Sequence, residues 1–153
     1  MKSFKAIFLI VFCILFFEKV KSQDSISIVF KVNNEIITNR DVQNEISYLS
    51  ALNSEFQNLT KDKKYQLAKE SILKETIKKD EILKYYILDQ KDPLIERVIK
   101  NFIVRLKLKN KAEFESHLLQ YNLNIETIMK KIEVETVWNQ LIYRIYKDLI
   151  KID

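Results

Sequence analysis

A mainly α-helical domain with a short β-hairpin at its head is the fold this sequence predicts, and three observations carry it. Apolar residues recur at helical spacing through most of the chain. Residues 26–32 alternate instead. Thr, Asn and Asp stand where one pattern gives way to the next. Five helices and one hairpin, set behind an N-terminal export signal at 1–22, organise the 153 residues as one domain over 23–153.

The signal reading rests on a basic start and a short apolar run. Lys2 and Lys5 precede an unbroken apolar stretch from Ala6 to Phe17, which Glu18 and Lys19 end. A dozen helical residues span roughly 18 Å, against ~30 Å for a bilayer core. The stretch is therefore short for a transmembrane span. Val20-Lys21-Ser22 puts a small residue at the −1 position, which predicts cleavage before Gln23; retention as a membrane tether is the alternative. Cys13, the only cysteine, lies inside the apolar run, so the chain from Gln23 onward can form no disulfide.

Ile26, Ile28, Phe30 and Val32 stand two apart, as in a strand. Asn33-Asn34 follows, two residues that tolerate a positive φ, and Glu35-Ile36-Ile37 is a short return strand. Thr38 and Asp41 then read as a capping box, so the hairpin feeds directly into a helix running to about Leu52, with Val42, Ile46 and Leu49 inward. A two-stranded hairpin is marginal alone and needs helices beneath it.

The run "NSEFQNLT" reads as a polar connection. Thr60 caps a long second helix reaching about Leu88, its stripe being Tyr65, Ala68, Ile72, Leu73, Ile77 and Leu83. Asp92-Pro93 restarts the chain as N-cap and first helical residue of a third helix through Leu106. Asn110 with Glu113 opens a short fourth helix holding Phe114 and Leu118, and Asn122 ends it in the left-handed conformation. Asn124 caps a fifth helix towards Ile150.

Little in the residue inventory suggests catalysis. With 0 Gly there is no glycine-rich phosphate loop. His117 is the single histidine, read as a surface residue at a helix C-terminus, and no Cys or His set has zinc-ligand spacing. Carboxylate pairs such as Asp80/Glu81 and Glu133/Glu135 read as solvated helix faces, so neither catalytic residues nor a cofactor or metal site is assigned. The net charge is +5, but the signal carries +3 of it, leaving +2 for the rest. Lysines and glutamates interleave along the helices rather than clustering on one face, which argues against nucleic acid as a partner.

The order of these elements resembles a known family. "FKVNNEIITNRDV", two long helices and "KNKAEFESHLLQYNLNIETIMKKIEVE" follow the signal. Val32, Asn33, Ile37, Thr38, Asp41 and Val42 match a strand that ends in Val-Asn and turns into a helix start. Phe114, Leu118, Asn122, Leu123 and the helix from Asn124 match a later short helix, turn and long helix. This arrangement resembles the N-terminal domain of SurA-type periplasmic chaperones and peptidyl-prolyl isomerases over about residues 26–150, with Asn at the usual Gly of the second turn. The resemblance implies ATP-independent binding of unfolded outer-membrane protein segments in the periplasm, assisting their folding and assembly. It does not carry isomerase activity over, because these residues include no parvulin segment, nor the final helix that returns to the core in that family.

The fifth helix is apolar on more than one face. Trp138, Leu141, Ile142, Ile145, Tyr146 and Leu149 are accordingly the expected client- or partner-binding residues. Their cover would be an extended polypeptide, a second copy of the chain or the chain's own hairpin. A helical interaction or dimerisation domain without clients, and an isomerase relative that has lost its catalytic domain, are the competing readings. No stable membrane insertion is expected once the signal is removed.

Overall fold

The computed structural model describes residues 25–88, 92–147 and 149; the signal segment at 1–22 and its cleavage site lie outside these. Strand β1 (Ile28–Val32) pairs antiparallel with β2 (Glu35–Thr38). Six helices follow among the described residues: α1 (Asn39–Leu52), α2 (Ser54–Gln57), α3 (Lys61–Ile82), α4 (Pro93–Arg105), α5 (Lys111–Leu119) and α6 (Ile125–Tyr146). The chain is thus mainly helical with a short N-terminal hairpin.

Most element boundaries follow from local chemistry. At the hairpin turn Asn33 takes a φ of 51°. Thr38 caps α1 reciprocally: the Asp41 amide donates to Thr38 Oγ1 at 3.3 Å, and the Thr38 amide donates to Asp41 Oδ2 at 2.8 Å. Asp92 Oδ1 accepts from the Leu94 amide with Pro93 in the first turn of α4. Asn110 Oδ1 accepts from the Glu113 amide at 2.9 Å, and Asn124 Oδ1 from the Thr127 amide at 2.8 Å. Without glycine, left-handed helix exits fall to Lys107 (φ 58°) and Asn122 (φ 57°). Each is followed by an amide that reaches back to the last turn, Leu108 to Ile103 and Leu123 to Leu118.

Three points differ from the sequence reading. The connection after α1 contains the extra short helix α2, which buries Phe56 beneath the polar surface. Helix α3 stops at Ile82, six residues early, and its buried line is Ala68, Ile72, Thr76 and Ile82; Leu73, Ile77 and Leu83 lie exposed. Glu133 is buried rather than solvated. Spacing alone admitted both sides of α3, and only the docking of α1, the hairpin and α6 selects one.

The main core joins Ala51 and Leu52 of α1, Ile95 and Ile99 of α4, Phe114 and Leu118 of α5, and Ile128 and Ile132 of α6. Full burial of each Leu, Ile or Phe side chain among them contributes roughly 1.5–3 kcal/mol. A second cluster seats the hairpin, with Ile37 against Val42, Ala68 and Ile72. The hairpin therefore rests on α1 and α3, not on the end of α6. A third, smaller cluster of Ile82, Val134 and Leu141 joins α3 to α6.

Candidate functional site

Helices α3 and α6 run side by side in the same direction, since their contacts climb together: Glu75 with Lys131, Lys78 with Glu135, and Ile82 with Val134 and Leu141. Along this seam lie the two places where function could reside, a buried polar junction and an apolar end.

At the polar junction Lys131 reaches from α6 between two carboxylates. Its Nζ is 2.7 Å from Glu45 Oε2 of α1 and also bonds Glu75 of α3. Glu45 is only 2 % exposed, and its other oxygen accepts from Ser71 Oγ at 2.6 Å. The ammonium also sits 4.7 Å from the centre of the Tyr48 ring. Burial works to lower the pKa of Lys131, but Glu45 and Glu75 outweigh it and hold the group above its ordinary value. Burial, then Glu45, pushes the Tyr48 phenol well up.

A cleft of about 180 Å³ opens onto this junction, lined among others by Asp41, Glu45, Tyr48, Glu75, Lys79 and Lys131. Its chemistry is that of a clamp. A nucleophilic lysine needs a lowered pKa, and Lys131 is shifted the other way. No buried side-chain polar atom among the described residues lacks a hydrogen-bond partner.

His117 is also structural in its contacts. Its Nε2 donates to the Ala51 carbonyl at 2.8 Å, so it satisfies the C-terminal turn of α1 as well as standing in the last turn of α5. The ring is half-buried and packs 5.2 Å from Tyr121. Among the described residues no three His, Cys, Asp or Glu side chains group closely enough to hold a metal ion, and no helix is long and apolar enough to cross a membrane.

The apolar end holds the predicted binding residues, and it divides them. Leu141 is buried in the third cluster, with Trp138 half-buried against it. Ile142 is half-buried. Ile145 (51 % exposed), Tyr146 and Leu149 (73 %) face outward. Residues 83–88 fold onto this part of α6. Arg144 donates to the Tyr86 hydroxyl at 3.0 Å, and Tyr86 and Leu88 pack on the third cluster. Gln140 donates to Asp92 at 2.8 Å and fixes the start of α4 alongside. The neighbours Leu83, Tyr85 and Ile87 are exposed, as is Tyr143. From sequence, Tyr85 stands among the aromatics that could line a groove for unfolded clients, with core packing the favoured reading; Ile87 was missed because the helix was extended through it, and Asp80-Glu81, followed by a weak stripe, was the available sign of an earlier end.

Compared with known protein families, curated proteins and solved structures, the chain finds no match.

Proposed function

We propose that this chain is a periplasmic, ATP-independent chaperone-type module. It holds extended, aromatic-rich segments of unfolded outer-membrane proteins against the apolar end of α6. The observation that supports this reading is the concentration of exposed apolar side chains there. Of the sixteen large ones among the described residues, Leu83, Tyr85, Ile87, Leu94, Tyr143, Ile145, Tyr146 and Leu149 make eight. Exposed apolar side chains gathered in one region mark an interaction site more often than inert surface. Tyr side chains add area at low entropic cost and a hydroxyl that tolerates water when the site is empty.

The test is light scattering from a urea-denatured porin diluted into buffer without ATP. The protein suppresses aggregation near stoichiometry, and Ile145→Asp with Tyr146→Asp removes the effect while the melting temperature stays put. Suppression undiminished in the double variant defeats the proposal.

A further inference from the structure

The hairpin carries a second surface that the apolar end does not use. Strand β1 has β2 as its only partner strand among the described residues. Among the described residues no hydrogen bond joins the main chain of Ile28–Val32 to any element but β2, and the bonds of Ser27 to Asn39 lie on the β2 side. One edge of β1 thus presents unpaired N–H and C=O groups, the template onto which another strand adds.

That edge does not look out onto bare solvent. The hairpin tip is tied to α3 by Asn33 Nδ2 donating to Asp80 at 2.7 Å, and Phe30 and Lys31 stand opposite Gln66, Lys69, Glu70 and Leu73. Strand and helix therefore run alongside each other, with a groove of about 370 Å³ between them. Leu73 (39 % exposed) and Ile77 (50 %) lie one step round from the inward line of α3 and support no contact of the core. On the rim, Lys31 and Lys69 face a single acid, Glu70, and Lys74 is exposed next to Leu73.

We propose that the free edge of β1 and the α3 groove form a strand-addition site for an extended polypeptide with alternating apolar side chains and acidic flanks. The main-chain edge supplies register-dependent hydrogen bonds, Leu73 and Ile77 take alternate side chains, and the lysines favour acidic ends. A bilayer fits worse, since lipid tails leave strand-edge groups unsatisfied. A helix fits worse because its own N–H and C=O groups are already paired. The proposal shares with the functional reading only the class of ligand, and the site is separate.

The test uses a short fluorescein-labelled peptide that alternates Val with Thr and Tyr and ends in Glu, titrated with the protein and read by anisotropy. N-methylating alternate amides in one register weakens binding roughly tenfold or more, and in the other register leaves it unchanged. Leu73→Glu weakens it about tenfold by placing a carboxylate in the groove. The α6 end is read separately, by Ile145→Asp in the light-scattering assay, whereas register dependence and the Leu73 response read this site, so failure here and failure at the α6 end are separable. Should Leu73→Glu alter the melting temperature, Leu73→Ser serves instead. Equal binding of both methylated peptides overturns the proposal, as does full binding by the folded Leu73 variants. Self-association that Leu73→Glu abolishes and the peptide cannot displace assigns the edge to a second copy, and also overturns it.

Discussion

Helices α3 and α6 meet twice, and the two meetings are built from opposite materials. At the first meeting the joint is ionic: one ammonium, two carboxylates, a hydroxyl and an aromatic face, drawn from three helices. Further along it is a small apolar cluster around Ile82, with exposed apolar side chains such as Leu83, Tyr143 and Ile145 beside it in the chain. An ionic joint is a poor source of net stability, because desolvating three charges costs most of what their attraction returns. It is, however, intolerant of change. The apolar end is the reverse, cheap to alter at its rim and adhesive towards anything apolar. The difference suits the first region to holding the helices in register, and the second to the recognition role proposed for it.

The largest effect should come from removing the shared cation. Lys131→Met leaves Glu45 and Glu75 together in a site where Glu45 has almost no access to water. Breaking a buried ion pair in this way typically costs about 3–5 kcal/mol. Denaturant unfolding of the variant reads this directly. Replacing Glu45, Glu75 and Lys131 together by Met should restore most of the loss. If the single variant is as stable as the parent, the junction is not the clamp described here.

Ile82→Ala tests the apolar joint from within. Ile82 is fully buried at the very end of α3, and its loss opens a cavity under residues 83–88. About 2–3 kcal/mol is expected, the lower part of the usual range, because a small cluster beside solvent relaxes more readily. Hydrogen exchange should quicken in 83–88 and late α6 before it quickens around Lys131. Uniform quickening would mean the two joints open as one unit.

Alkaline pH separates the joints without mutation. Tyr48 and Lys131 both have folded-state pKa values raised above their ordinary values of 10.0 and 10.5. A group whose pKa is raised by folding stabilises fully below its unfolded value, and the contribution is lost as pH climbs towards the folded value. Stability should therefore be flat up to about pH 10 and fall beyond it. Tyr48→Phe should blunt the fall, whereas a variant at Ile145 should not. A fall equally steep in the Tyr48 variant would place its origin elsewhere.

Sequence made the caps legible and hid the joints, for one physical reason. Thr38, Asp92, Asn110, Asn122 and Asn124 act within three residues of themselves, so their roles follow from short-range bonding that the chain carries anywhere. Glu45, Glu75 and Lys131 sit in the same interleaved acid and base pattern as solvated neighbours such as Lys84 and Glu81. Nothing local marks them; only the packing of three helices takes them out of water. Exposed Leu73 and Ile77 were hidden likewise, since spacing places them beside the buried line. The end of α6 was partly legible. Its excess breadth of apolar residues pointed to unpartnered surface, and Ile145, Tyr146 and Leu149 are exposed, while Leu141 from the same set is in the core.

The smallest effect on folding should come with a large effect on recognition. Ile145→Asp changes a side chain that is half exposed, in the last turns of α6, where no described contact of the third cluster depends on it. Surface changes of this kind usually stay within about 0.5 kcal/mol. A carboxylate near a helix C-terminus meets the negative end of the helix dipole, which adds a few tenths of a kcal/mol of cost and no more at an exposed site. The same carboxylate would have to be desolvated by any apolar segment covering Tyr146 and Leu149, and leaving a charge buried without a partner costs far more than the surface change itself. Leu141→Asp is the informative contrast on the same helix: it is buried, so it should lose stability and binding together. If Ile145→Asp destabilises the fold as much as Leu141→Asp does, the end of α6 belongs to the core and the division between the two joints fails at its recognition side.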